Sequence, residues 1–215
     1  MTTRHHPFTV DSWVRVRQAA PGEVPDVARL VAVAFEPLDV CGWLVGDHIN
    51  RRSVLSGYLL PSVLHALSHG VVDVVDGPDG VPLAVGVWFN SPCPPVPGHD
   101  ALLAETCGPW ADNFRALEEA MDGAHPIRPH AHLAFMAVRP DHQGQGLGGA
   151  LLDHRHAVLD TTGRPAYLEA ANARGRTLYL RHGYHDAAPA FTLPYPGEQP
   201  RPMWRPAADT APTGA

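Results

Sequence analysis

The chain has 215 residues, of which 45% are hydrophobic and 18% charged, so it can bury a full core as one domain or as two small ones. Its net charge is −6, and all sixteen basic residues are arginine. Nucleic-acid-binding proteins display a basic patch or block, and this chain has none, so we expect no nucleic-acid partner.

Neither a membrane segment nor a secretion signal is predicted. No apolar run approaches the roughly 20 residues that a membrane-spanning helix requires. The N-terminus, with His5, His6 and Pro7, lacks the apolar core of a signal peptide. We therefore expect a cytoplasmic protein with no membrane partner.

Cysteine and histidine usage does not predict a metal site. Three widely spaced cysteines argue against a disulfide framework and against a zinc site, and we expect buried or idle thiols at Cys41, Cys93 and Cys107. The fourteen histidines include close pairs, but no pair has a third ligand at a recognisable spacing. These pairs are His130 with His132, His154 with His156, and His182 with His185.

In chain order, the first half predicts a strand at 14–17, a helix at about 27–35 and a second helix at 51–69, which Pro61 could interrupt. A hairpin follows, with strands at 71–75 and 83–89 around a Gly77-Pro78-Asp79-Gly80 turn. A proline-rich loop at 91–99 and a polar helix at about 102–121 complete this half.

The second half predicts a strand at 133–138, a helix at 147–159, a strand at 166–170 and a short helix at 174–182 ended by Gly183. Two closing strands are predicted at 191–193 and 203–205. The mixed order favours one α/β or α+β domain around a mixed central sheet, over 14–206. Residues 1–13 form an N-terminal extension, and 207–215 are predicted to be a disordered tail.

The run from Phe135 to Gly149 is the most informative segment. An apolar strand ends in a Pro-Asp turn and a glycine-crowded loop, and a helix follows. Glycines let the backbone approach an anion closely, and the free N–H groups of the first helical turn point at it. The segment therefore predicts a site for a phosphate ester.

Two phosphate-binding signatures fit these glycines. Gly144, Gly146 and Gly149 satisfy the dinucleotide fingerprint, with Glu169 about twenty residues further on. In that fold, however, the first glycine follows its strand almost directly, whereas here residues 139–143 intervene after Val138. Only about 45 residues follow Glu169, too few for the remaining strand-helix units. A dinucleotide-binding oxidoreductase is thus a remote alternative.

The second signature is the Q/R-x-x-G-x-G/A loop of the GNAT superfamily of N-acetyltransferases, which the sequence from Gln143 to Gly148 resembles. Three further features are similar to that family and in register: Val138-Arg139-Pro140 before the loop, Tyr167 to Asn172 after it, and Leu178-Tyr179 followed by Gly183-Tyr184. Upstream, Ala34-Phe35 and Ala84 to Trp88 with Pro92 resemble the branch that contains puromycin N-acetyltransferase. The resemblance covers roughly 14–206.

This resemblance implies the GNAT fold, a single domain whose mixed central sheet has splayed parallel strands flanked by helices, and acetyl-CoA as co-substrate. It implies that the loop amides hold the pyrophosphate, that the strand before the loop contacts the pantetheine arm through its main chain, and that the Val138 amide polarises the thioester. The cofactor-binding residues so implied are Met136, Ala137, Val138, Gln143, Gly144, Gln145, Gly146, Leu147, Gly148, Gly149, Asn172 and Tyr179.

Acyl transfer to an amine needs an acid for the departing thiolate and a base for the attacking ammonium. Tyr179 is predicted as the acid, because a phenol is protonated at neutral pH. The base stays open. His132 lies where some family members carry a catalytic glutamate, and Glu169 could instead be the base or an anchor for the substrate's ammonium group.

The acceptor remains the least defined part. Trp43 and Trp88, together with the prolines at 92–97, are predicted to line its pocket. We expect transfer of acetyl to a small-molecule amine, plausible acceptors being an antibiotic or a natural-product intermediate. Transfer to a protein or peptide is the alternative, and a non-catalytic CoA-binding regulator is a remote one. The chain is expected to be a monomer or a homodimer, with the strand near 203–205 as a candidate interface.

Overall fold

A computed structural model describes residues 14–208. The predicted extension at 1–13 and all but the first two residues of the predicted tail lie outside this range. The elements are β1 (Val16–Gln18), α1 (Val24–Phe35), α2 (Asp39–Leu44), α3 (Arg51–His69), β2 (Gly70–Asp76), β3 (Pro82–Ser91), α4 (His99–Cys107), α5 (Ala111–Ala124), β4 (His130–Val138), α6 (Leu147–Thr161), β5 (Ala166–Ala170), α7 (Ala173–Arg181), β6 (His185–Asp186) and β7 (Arg201–Arg205).

The strands form one seven-stranded sheet in the order β1-β2-β3-β4-β5-β7-β6. Strands β4 and β5 run parallel and are joined through α6, and the other neighbours are antiparallel. The predicted single α/β domain with a mixed sheet is confirmed.

Helices cover both faces of the sheet. On one face α1 and α3 pack on alternate residues of β2 and β3, including Val72, Val74, Val85 and Val87. On the other face α6 buries leucines against the opposite residues of the same strands. The alternation follows from the period-two geometry of a strand, which places successive side chains on opposite faces.

A buried ion pair fastens α6 to the sheet. Asp73 on β2 is fully buried, and its carboxylate accepts hydrogen bonds from the Arg155 guanidinium at 2.6 to 2.9 Å. Asp73 lies between the valines that face the α1 and α3 side, so its side chain points to the α6 side.

Several predicted boundaries agree with the structure. Helix α3 and strand β5 have the predicted ends, and Pro61 lies inside α3 without ending it. Among the described residues no helix is long and apolar enough to cross a bilayer.

Three expectations were wrong. The single helix predicted at 102–121 is two helices, because Gly108 has φ +49° and Pro109 has no N–H to continue α4. Helix α2 was not predicted. Residues 191–193 form no strand, although the Phe191 N–H donates to the Pro200 carbonyl at 2.8 Å, because prolines at 189 and 194 leave no room for a ladder.

The interface suggested near 203–205 also has to be corrected. Strand β7 lies inside the sheet, with β5 on one side and β6 pairing with Met203 and Trp204 on the other. Those two residues therefore present no free edge for a second chain.

Candidate functional site

A cavity of about 1100 Å³ runs through the molecule from the glycine loop, past the end of β4, to a chamber between α1, α3 and α5. It is larger than the roughly 300–1,000 Å³ typical of small-ligand sites. Such a volume suits two ligands meeting end to end.

The middle of the cavity opens where two parallel strands separate. Strand β4 pairs with β5 at three positions only, Ala131, His132 and Leu133. Opposite, the register with β3 shifts between Leu133 and Phe135, so Ala134 is an extra, bulged residue. Beyond the bulge, β4 has no β5 partner, and the backbone of 134–138 faces the cavity. Three predicted residues, Met136, Ala137 and Val138, line it there.

The glycine loop at one end of the cavity has the predicted geometry for an anion. Gly144 and Gly146 have φ of +80° and +87°, a left-handed conformation that favours glycine, and α6 begins at the next residue, Leu147. A Cβ at Gly148 would lie 3.3 Å from the Leu178 side chain, so α7 packs closely here. The α6 N-terminus therefore presents unpaired N–H groups to the cavity.

Six of the seven predicted loop residues line the cavity, namely Gln143, Gly144, Gly146, Leu147, Gly148 and Gly149. Gln145 is the exception, since its side-chain amide donates to the Asp141 carbonyl at 3.4 Å and lies outside the lining. Gln143 donates to the Val138 carbonyl at 3.2 Å and accepts from Arg174 at 2.9 Å, which ties the loop to β4 and α7.

Two arginines missed by the sequence reasoning, Arg174 and Arg181, line the same end of the cavity. They lie on α7, where Arg174 is 31 residues from Gln143 in sequence, and only the fold brings their positive charges to the loop. Their side chains complement an anionic ligand.

Asn172 and Tyr179 both line the cavity, on opposite ends of the α7 segment. The Asn172 carboxamide caps α7 by accepting from the Gly175 N–H at 2.7 Å. Tyr179 is 9% exposed, and its ring packs edge-on against Tyr184. Burial raises the pKa of Tyr179, so the phenol keeps its proton throughout the neutral range.

His132 and Glu169, which the sequence offered as alternative bases, are in contact. His132 Nε2 lies 3.0 Å from Glu169 Oε2, and the two side chains are 14% and 5% exposed. Both line the cavity next to the point where β4 and β5 separate. A carboxylate that holds an imidazole in this way fixes its orientation and its tautomer.

His125, which the sequence reasoning did not select, completes the group. It follows α5, its ring centroid is 4.8 Å from that of His132, and it also lines the cavity. Burial is the main cause that lowers the pKa of His125, and the nearby His132 contributes. His125 is 44 residues from Glu169 in sequence, and nothing in the neighbouring sequence indicates that the two are close.

The chamber at the far end is mostly apolar. Its walls come from α1, α3, α5 and the end of β3 and include Phe35, Leu55, Leu59, Phe89, Leu117 and Met121. The proline-rich loop contributes Pro92, Cys93, Pro94, Pro95 and Val96, as predicted for that loop.

Carboxylates give the chamber its charge. Glu118 accepts from the Tyr58 hydroxyl at 2.9 Å, and His99 Nε2 lies 2.9 Å from the same oxygen. Asp122 and Glu169 also line this part, whereas the arginines lie at the loop end. The cavity thus has a cationic end and an acidic, apolar end, which the sequence reasoning did not foresee.

Neither predicted tryptophan lines the cavity. Trp88 is 3% exposed and packs on the α6 side, with its ring edge-on to His156. Trp43 stacks on Tyr195 at 5.4 Å. Trp88 faces α6 because it alternates along β3 with Val87 and Phe89, which face α1 and α3.

The glycine loop and the gap between β4 and β5 lie along one cavity, with the acid and base candidates beside the gap. Residues 111–186 match the family described as Acetyltransferase (GNAT) domain. The match indicates an acyl-CoA-dependent N-acetyltransferase that uses acetyl-CoA.

Solved structures share the fold over almost the whole chain. A Corynebacterium glutamicum protein described as histone acetyltransferase HPA2 and related acetyltransferase is 24% identical with a TM-score of 0.66, covering 93% of this chain and 100% of that one. Arylalkylamine N-acetyltransferase 2 from Aedes aegypti is 13% identical with a TM-score of 0.61, covering 91% and 99%. The Escherichia coli ribosomal-protein-S18-alanine N-acetyltransferase is 18% identical with a TM-score of 0.54, covering 94% and 99%.

Proposed function

We propose that the protein transfers acetyl from acetyl-CoA to the amine of a small molecule with an apolar or aromatic body. The observation that carries this proposal is the two-ended cavity. A cationic, glycine-lined end suits the CoA pyrophosphate, and an apolar chamber with Glu118, Asp122 and Glu169 suits an organic ammonium ion.

The proposed reaction is direct attack on the thioester at the strand gap. The amide of Val138, beyond the bulge, would polarise the thioester carbonyl, and the loop amides with Arg174 would hold the pyrophosphate. These contacts position the donor, and the α6 dipole adds about 0.3–2 kcal/mol to its binding.

In the proposal, His132 removes the proton of the acceptor ammonium through a water molecule, and Glu169 orients the His132 ring. The amine nitrogen then forms the new C–N bond as the C–S bond breaks. Tyr179, which its raised pKa keeps protonated until this point, gives its phenolic proton to the departing thiolate, and the second proton lost by the acceptor nitrogen restores the phenol.

The resemblance to the puromycin N-acetyltransferase branch supports a small-molecule amine as acceptor. An antibiotic or natural-product amine is proposed as that acceptor, and a cytoplasmic location is proposed for the protein. All three cysteines are free thiols, as is usual in a reducing compartment.

A thiol-release assay with acetyl-CoA tests the proposal directly. The panel comprises arylalkylamines, aliphatic polyamines, amine-bearing nucleosides and peptides with free N-termini or lysines. We expect turnover with amines attached to apolar or aromatic groups. Turnover confined to peptides would replace the proposal with the protein-acetylating alternative, and binding of acetyl-CoA without any turnover would favour a regulator.

A further inference from the structure

Three metal-ligating side chains from separate parts of the chain meet at the cavity wall. One ligand atom each of His125, His132 and Glu169 lies within 4.8 Å of the others. They come from the turn after α5, from β4 and from β5, and the last two strands are neighbours in the sheet.

The donor set suits a transition metal. Two imidazole nitrogens and one carboxylate oxygen, with an open fourth position, form a known type of Zn²⁺ site with bonds of about 2.0–2.2 Å. Tetrahedral ligands at that bond length lie about 3.3 Å apart. His132 Nε2 and Glu169 Oε2 are 3.0 Å apart, so these two need little movement. His125 lies outside the sheet, directly after α5, and its ligand nitrogen is within 4.8 Å of the other two ligand atoms.

A second observation points to a cation at this place. The other oxygen of the same carboxylate, Glu169 Oε1, is buried and has no hydrogen-bond partner among the described residues. The Tyr167 hydroxyl lies beside this carboxylate and also reaches the Ala124 carbonyl, at 3.5 Å, so its single proton is shared between two acceptors. A buried carboxylate oxygen without a donor is costly, and a bound cation would remove that cost.

A further side chain lies beside the His125 ring. Its present polar neighbour is Ser91, whose Oγ is 3.2 Å from Nε2 and can hold the ring from a second side.

Another histidine pair near the cavity is His65 and His69 on α3, with ring centroids 4.2 Å apart. His65 Nε2 lies 2.8 Å from the Pro94 carbonyl and 3.7 Å from Cys93 Sγ, and among the described residues this pair belongs to no group of three ligands. This pair serves as the internal comparison for the three-residue cluster.

We propose that His125, His132 and Glu169 form a binding site for one Zn²⁺ ion, and that its occupation switches off acetyl transfer. The binding part stands on the cluster alone. The inhibitory part rests on the proposed function, because a metal on His132 Nε2 takes the lone pair that the base needs.

Competition with a chromophoric zinc chelator, on the full chain, measures binding without reference to activity. We expect one Zn²⁺ per chain above the background of exposed histidines, with affinity at least tenfold lower in His125→Ala and in Glu169→Gln. His154→Ala, at an exposed position on α6, and His65→Ala should bind like the parent. Equal binding by His125→Ala and the parent, or a loss confined to His65→Ala, would overturn the site. Should His125→Ala fold poorly by its thermal transition, His125→Asn replaces it.

Co²⁺ gives an independent readout, since a tetrahedral site produces visible absorption that octahedral surface sites lack. We expect that band in the parent and in His65→Ala, and its loss in His125→Ala. Zinc inhibition of thiol release should need at least tenfold more Zn²⁺ in His125→Ala than in the parent. Zn²⁺ binding at this site without inhibition would reject only the inhibitory part of the proposal. Failure of the parent to turn over any amine would reject the proposed function and leave the binding result intact.

Discussion

His132 and Glu169 lie on the two parallel strands, and their side chains meet at 3.0 Å on the last paired stretch before β4 and β5 diverge. They are 37 residues apart in sequence. The contact joins two side chains that sequence reasoning offered as alternative bases, and it places them where the thioester is proposed to lie. The proposed mechanism therefore gives each of the two residues a role of its own, with His132 as the base and Glu169 as the residue that orients it.

Removing the imidazole tests its role as base. We expect His132→Gln to lower kcat by about 10²- to 10⁴-fold, the usual contribution of a positioned acid or base. Glu169→Gln, which leaves the imidazole in place, should lose less. Steady-state rates with a saturating amine give both values, and the exposed His154→Gln is the matched control. A drop below about threefold in His132→Gln would remove it from the mechanism.

Tyr179→Phe should likewise lower kcat by about 10²- to 10⁴-fold while acetyl-CoA binding, measured by calorimetry, stays near that of the parent. Because burial raises the pKa of Tyr179, deprotonation of this phenol should cause no loss of activity between pH 7 and 9. Tyr184→Phe, at a buried tyrosine that does not line the cavity, is the control. Similar losses in both variants would indicate a packing effect.

The glycine loop is tested through its backbone conformation. Gly146 has φ +87°, so the change Gly146→Ala forces a residue with a side chain into the left-handed region. This costs about 1–2 kcal/mol and displaces the loop amides. We expect a rise in KM for acetyl-CoA of roughly tenfold. Gly123→Ala in α5, where a new Cβ has no atom within 4 Å, should leave KM unchanged and raise stability by up to about 1 kcal/mol. An unchanged KM in Gly146→Ala would argue against donor binding by this loop.

The buried pair Asp73–Arg155 is expected to matter for stability. Asp73→Ala leaves the Arg155 guanidinium buried without its partner, and the free energy of unfolding should fall by about 3–5 kcal/mol. Asp73→Val combined with Arg155→Met should recover part of that loss, because no uncompensated charge remains. Urea unfolding measures both. For comparison, Asp26→Ala at the exposed Asp26–Arg29 pair should change stability by less than about 1 kcal/mol.

Stability should decline in acid because two buried histidines are neutral in the folded state. Burial lowers the pKa of His130 to about 4 and that of His156 to about 3. In the unfolded chain an imidazole titrates near 6.5, so between these values the unfolded state binds more protons and unfolding becomes easier. The contribution of these two histidines to the free energy of unfolding is complete above about pH 6.5. It is lost as the pH falls towards 3, at up to about 1.4 kcal/mol per pH unit for each group.

Comparing urea midpoints at pH 7 and pH 5 checks this. His156→Gln should show a smaller pH difference than the parent, and His154→Gln, on the solvent side of the same helix, should not. Asp160, His182 and Arg205 also act on His156, and all three are unchanged in these variants. An equal pH difference in His156→Gln and the parent would contradict the assignment.

Local patterns predicted most of the fold. The ends of α3 and β5 follow from helical spacing and a short apolar run, and the loop from Gln143 to Gly149 follows from glycines that must adopt positive φ. The predicted single helix at 102–121 was wrong because residues on both sides of Gly108 and Pro109 are helical, while these two residues interrupt the helix.

The site was predictable only where its residues are consecutive or in a family motif. Four further residues reach the cavity from elements that are far apart in sequence, namely Glu118, His125, Arg174 and Arg181. The residues next to them in the chain do not indicate this. Trp88 illustrates a different error. It alternates along β3 with Val87 and Phe89, which face α1 and α3, so the period of the strand already places Trp88 on the α6 face, away from the cavity.

The central claim is acetyl transfer to a small amine held in the apolar, acidic chamber. The most direct measurement compares kcat/KM for a primary amine on an aromatic group with kcat/KM for the same amine at the end of a short polar peptide, with the acetylated products identified by mass spectrometry. We predict a preference of at least about tenfold for the aromatic amine, the scale of discrimination that an apolar pocket provides. Equal values, or a preference for the peptide, would contradict it.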